Sequence, residues 1–123
     1  MSPQYLLPET VSREDGAGAV VALDRGGSPA LLTLEIDRIL ERESLDVSVW
    51  GSPDGRHWRH LAAFPQKSYI GQYSIELNLG RHPDVRFLRA KWKMGRWVSG
   101  EPRPMFGFHV RLDELKSRYA GAA

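Results

Sequence analysis

Leu45-Asp46-Val47-Ser48-Val49-Trp50 leads, one glycine later, into Ser52-Pro53-Asp54-Gly55-Arg56-His57-Trp58. The first stretch has the period of a strand with two unlike faces: Leu45, Val47 and Val49 point one way, and Asp46, Ser48 and Trp50 the other. The second carries turn chemistry. Pro53 presets φ, Asp54 can bond its own backbone two residues on, and Gly55 supplies φ > 0. A strand, a tight turn and a returning strand from Trp58 to Phe64 are therefore expected.

The same period recurs outward from this hairpin. Tyr73, Ile75, Leu77 and Leu79 alternate with Ser74, Glu76 and Asn78. Leu88, Ala90 and Trp92 share one face of a strand whose other face carries Phe87, Arg89, Lys91 and Lys93. Phe106, Phe108, Val110 and Leu112 alternate with Gly107, His109 and Arg111, and Ala19 to Leu23 makes a shorter strand. Runs rich in Gly, Pro and Asp separate these segments. Residues 29–43 admit two readings. Leu32, Leu34 and Ile36 alternate as in a half-buried strand, the favoured reading, while Pro29 after Ser28, with Leu32, Ile36, Ile39 and Leu40, also fits a capped amphipathic helix.

Residues 1–18 lack periodicity and read as an irregular arm or edge, and residues 113–123 as a tail or short helix. The expected architecture is all-β: one antiparallel jelly-roll sandwich over residues 19–112.

A chain of 123 residues suffices for one hydrophobic core. No apolar run approaches the roughly 20 residues of a membrane-spanning helix. The first residues show no basic segment followed by an apolar one, so a cytoplasmic location is the default expectation. The absence of cysteine excludes disulfides and thiolate chemistry. Net charge is only +2, but unevenly spread: residues 1–80 hold seven Lys or Arg against eleven Asp or Glu, and residues 81–111 hold eight against two. Such a split can attract an anionic partner, steer self-association, or be neutralised between neighbouring strands.

The pattern Ser52-x-Asp54-Gly55-x-x-Trp58 after a strand, then Arg86-Phe87-Leu88-Arg89, then the apolar strand Phe106 to Val110, resembles the discoidin or galactose-binding-like superfamily. That resemblance spans roughly residues 30–112. It implies an eight-stranded jelly roll of a kind that includes many carbohydrate-binding modules, with Ser52, Asp54, Gly55 and Trp58 as scaffold of the turn. In that superfamily the glycan contacts sit on variable loops, so no residue here is assigned to them by matching.

No catalytic constellation stands out. His57 and His60, three apart on a strand, face opposite ways, and no carboxylates at a suitable spacing complete a metal site with them or with His82. There is no Gly-x-Ser-x-Gly elbow. Gly16-Ala17-Gly18-Ala19-Val20 lacks the strand, helix and third glycine of a dinucleotide loop. The acidic residues between Glu35 and Glu43 are interleaved with Arg38 and Arg42, as on a solvated, salt-bridged segment. Neither enzyme chemistry nor a cofactor is expected.

Surface candidates remain. Arg89, Lys91, Lys93, Arg96 and Arg111, with Trp97 and His109 close in sequence, form a basic, partly aromatic stripe suited to anions. Trp50, on the polar side of its strand, and Tyr69 and Tyr73, flanking Gly71 in an expected loop, suit an interface or a sugar ring. These features rank a self-associating assembly module first, a carbohydrate-binding module second and a polyanion or nucleic-acid binder third.

Overall fold

The structure, a computed structural model, describes residues 4–23, 29–40, 44–67, 69–95 and 105–114. In chain order these form β1 (Gln4–Ser12), β2 (Gly16–Ala17), β3 (Val21–Ala22), β4 (Ala30–Leu40), β5 (Ser44–Ser52), β6 (Arg59–Ala63), β7 (Gly71–Leu77), a 3-10 turn at Leu79–Arg81, β8 (Phe87–Gly95) and β9 (Met105–Glu114). No described helix is long and apolar enough to cross a membrane.

Asp54 organises the turn between β5 and β6. Its Oδ1 accepts from the backbone N–H groups of Arg56 and His57 at 2.8 and 2.9 Å, and its Oδ2 lies 2.6 Å from His57 Nδ1. The Ser52 hydroxyl, fully buried, donates to Asp54 Oδ1 and accepts from the N–H groups of Asp54 and Gly55. Gly55 sits at φ +80°, where a Cβ is strained. The backbone N–H groups of His57 and Arg56, and then the His57 ring, hold the Asp54 carboxyl far below the usual carboxylate range.

From this turn the chain doubles back as one antiparallel ribbon. β5 pairs with β6, β4 with β7, β2 and β3 with β8, and β1 with β9. Two further antiparallel pairings, β4 with β9 and β5 with β8, bind the ribbon's two arms. Two sheets result, one ordered β1-β9-β4-β7 and the other β2-β8-β5-β6 with β3 also on β8. Their inner faces share one core: Leu32, Leu34, Ile36, Phe106, Phe108 and Val110 from the first meet Leu45, Val47, Val49, Leu88, Ala90 and Trp92 from the second.

Trp92 ties the two layers together. Its ring meets Phe108 edge-on at 5.4 Å between centroids, and its indole N–H donates to the Glu14 carbonyl at 3.0 Å. Gly16 runs flat against the same ring, and a Cβ built there would lie 2.5 Å from Trp92 Cζ2.

Of the two readings of residues 1–18, irregular arm or irregular edge, the described residues follow the edge and complete the sandwich. Gln4–Ser12 is an edge strand on β9 that buries Leu6 and Leu7, and Gly16–Ala17 pairs with β8. Pro8 and register shifts between Tyr5 and Leu7 and between Leu7 and Thr10 erase its alternation, which is why no period was visible. Residues 30–40 adopt the strand alternative, and β9 runs through Asp113 and Glu114, where the tail was expected to begin. The remainder of that tail lies outside the described residues.

Two expectations follow for stability in denaturant titrations. Gly16→Ala should lose about 1–3 kcal/mol by overpacking Trp92, and Gly55→Ala about 1–2 kcal/mol through its left-handed backbone. For Asp54 the native pKa is depressed, so its contribution is complete above the usual carboxylate range and disappears as pH falls through the native value. Asp54→Asn should therefore be less stable than the parent at neutral pH, with the gap closing on acidification below about pH 4. An unchanged gap at low pH would contradict this account of the turn.

Candidate functional site

The outer face of the β8–β5–β6 layer carries four of the candidate residues, Trp50, Arg89, Lys91 and Lys93. Antiparallel register sets Arg89 opposite Trp50, Lys91 opposite Ser48 and Lys93 opposite Asp46, so the three cations stand beside the polar side of β5. Their charges are largely engaged within the sheet. Lys91 Nζ lies 4.2 Å from the Trp50 ring centroid, and His60 meets the same ring edge-on at 5.4 Å. The Trp50 indole N–H donates to Ser48 Oγ at 2.9 Å. Arg89 lies over Trp58 and donates to the Gly18 carbonyl. Beside Trp50 a groove of about 300 Å3 is lined by Asp15, Asp46, Ser48, Lys91, Lys93 and Phe64 among others.

His109 and Arg111 sit elsewhere. They belong to β9, on the outer face of the opposite sheet, so the stripe read from sequence is divided between the two sides of the sandwich. Arg111 Nε donates to Asp113 Oδ2 at 2.9 Å. His109 is set between acids, with Nδ1 3.4 Å from Glu9 Oε1 and Nε2 3.4 Å from Glu35 Oε2. The Tyr5 ring packs edge-on against it at 5.5 Å. Desolvation, and then a hydrogen bond with Asp37, push the Glu9 carboxyl above its usual value. Arg96 and Trp97 lie outside the described residues.

His57, His60 and His82 do not converge on one point. His57 is bound to Asp54, His60 packs on Trp50, and His82 lies beside Arg59, whose guanidinium forms a forked pair with Asp84.

A third feature, missed in the sequence, is the free edge at β7. Tyr73, read both as the first apolar residue of an alternating strand and as flanking a loop at Gly71, lies on this strand, on its inward side, where it packs against the core margin under Lys67 and donates to the Tyr69 carbonyl at 3.1 Å. β7 matches β4 over seven consecutive pairs without a register shift, and among the described residues nothing pairs with its other side. The other sheet margins are blunted: β1 has a proline and two shifts, β2 and β3 are two residues each, and β6 is five residues with a shift. β7 has none of these devices and a single charged residue, Glu76. Immediately before it stand Tyr69 and Ile70, 76% and 64% exposed, more open to solvent than any other large apolar side chain described. The signal was present in sequence as an alternating strand with a single charge, Glu76, beside two apolar residues, but only the sheet order shows that it is an edge.

Compared with known proteins, the chain matches no family model and no curated protein.

Proposed function

We propose that this protein is a non-catalytic assembly module, a jelly-roll sandwich that self-associates through β7. The jelly-roll reading is supported by the pairing of each earlier strand with a later one around the β5–β6 hairpin, as a ribbon rolled into two sheets would give. The observation that carries self-association is the unblunted β7 edge with Tyr69 and Ile70 beside it. An edge of this kind offers a row of backbone donors and acceptors to another strand.

A second copy fits this edge by its own sequence. Two-fold antiparallel pairing must set outward residues opposite outward residues, and centring it on Ser74 matches all seven positions of β7. Tyr73 then meets Ile75 of the partner copy, extending the core margin, and Gln72 meets the partner copy's Glu76 on the outer face. The first sheet would continue as eight strands across the dimer.

A carbohydrate-binding reading, in keeping with the galactose-binding-like resemblance, has one observation in its favour, the groove beside Trp50. Trp50 already carries Lys91 on its ring and satisfies its N–H within the strand, so a sugar stacking there must displace Lys91. The polyanion reading has lost its continuous stripe, since His109 and Arg111 lie on the opposite side, each beside a carboxylate.

Self-association is checked by light scattering and sedimentation across concentration, with mass rising from 13.9 kDa to twice that value. The register is checked by charge at Gln72, whose side chain is exposed. Gln72→Glu sets like charges against Glu76 at both symmetric positions and should weaken the dimer by roughly 3- to 20-fold, while Gln72→Lys should tighten it. A monomer at all concentrations overturns the reading, as does a dimer indifferent to both changes. A melting-temperature rise with one sugar class, abolished by Trp50→Ala, would favour the groove instead.

A further inference from the structure

The outer face of the first sheet brings together groups that the assembly reading does not use. β9 lies between β1 and β4, and each neighbour departs from regular register beside His109. On β1 the shift between Leu7 and Thr10 brings Glu9 alongside the imidazole, while on β4 the shift between Ile36 and Arg38 makes Asp37 the extra residue. Bulges redirect side chains, and here two of them, one on each side, direct carboxylates to one histidine. Gly107 forms the floor: a Cβ there would lie 3.0 Å from Asp37 Oδ1, so the carboxylate occupies the space that a side chain would take.

We propose that Glu9, Asp37 and His109 bind a divalent transition-metal ion of the zinc type. One ligand atom from each lies within 4.8 Å of the other two, and His109 Nδ1 stands 3.4 Å from Glu9 Oε1. That second separation is the ligand–ligand edge of a tetrahedron with bonds of about 2.1 Å, the length of zinc–nitrogen and zinc–carboxylate bonds. The longer separations close by rotation of Glu9 and Asp37, both exposed. Glu35 supplies the companion interaction. Its Oε2 lies 3.4 Å from His109 Nε2, on the far side of the ring, where a carboxylate can orient the imidazole when Nδ1 is the ligand atom. One imidazole among oxygen donors favours zinc, cobalt or manganese over calcium or magnesium, which prefer oxygen throughout. Two protein carboxylates and one imidazole leave the fourth tetrahedral position for water. The ion would fasten edge strand β1 to β4 across β9.

The test uses the full chain without a purification tag, stripped with chelator and titrated with Zn2+ by calorimetry, and with Co2+ by visible absorption. One ion per chain, a rise in melting temperature and the intense visible bands of tetrahedral cobalt are expected. His109→Gln and Asp37→Asn should each lower affinity at least about 10-fold, and Glu35→Gln, as a positioning residue, about 10-fold with the cobalt bands retained. His57→Gln/His60→Gln, which leaves the cluster intact, should bind as the parent does. Circular dichroism of each variant establishes that it is folded. No saturable binding of Zn2+, Co2+ or Mn2+ would overturn the assignment, as would binding that survives His109→Gln or is lost in the His57/His60 variant. A dimer through β7 would stand or fall separately.

Discussion

The fold rests on a short set of hydrogen bonds at the end of β5. There the Ser52 hydroxyl and the Asp54 carboxylate between them receive four backbone N–H groups. This turn starts the β5–β6 pairing at Gly51 and Arg59, which holds until a shift between Val49 and Trp50. Ser52 also reaches the next pairing: its carbonyl accepts from Arg86 N–H at 2.9 Å, just before β8 begins beside β5. A buried hydroxyl with every partner satisfied specifies one geometry in a way that an apolar side chain of the same size does not.

Part of the chain's uneven charge is met within the subunit. The basic strand β8 lies beside Trp50 and Asp46 of β5, and the histidine of β9 lies between Glu9 and Glu35 from its two neighbours. Arg59 is paired with Asp84 and Arg111 with Asp113. Antiparallel neighbours thus set several of these charges beside rings or opposite charges, while among the described residues the outer margin of β7 leaves its backbone groups without a strand partner.

β5, β7, β8 and β9 were legible because each keeps strict alternation between breakers, and period two is the most direct signal that sequence gives of a half-buried sheet, while β6, which does not alternate, was legible from the turn before it. β1 was illegible for a physical reason: Pro8 and two register shifts break the period while the backbone remains paired to β9. Lys91 and Arg111 read as one stripe because both sit on outward faces of basic strands, yet which sheet a strand joins depends on long-range pairing that local pattern does not encode. The same limit hid the cluster around His109. Glu9, Glu35, Asp37 and His109 come from three strands up to a hundred residues apart, and only the order β1-β9-β4 makes them neighbours.

That order has a consequence for how the protein is made. β9, the last described strand along the chain, lies inside the first sheet and separates β1 from β4. During synthesis the second sheet can assemble once β8 has emerged, but β1 and β4 must wait with their hydrogen-bonding edges open until β9 slots between them. Closure spans nearly the whole chain, the kind of non-local step that slows folding and lengthens exposure of pairing edges. The nascent chain is thus most vulnerable to cross-pairing on the ribosome during the interval between β8 and β9.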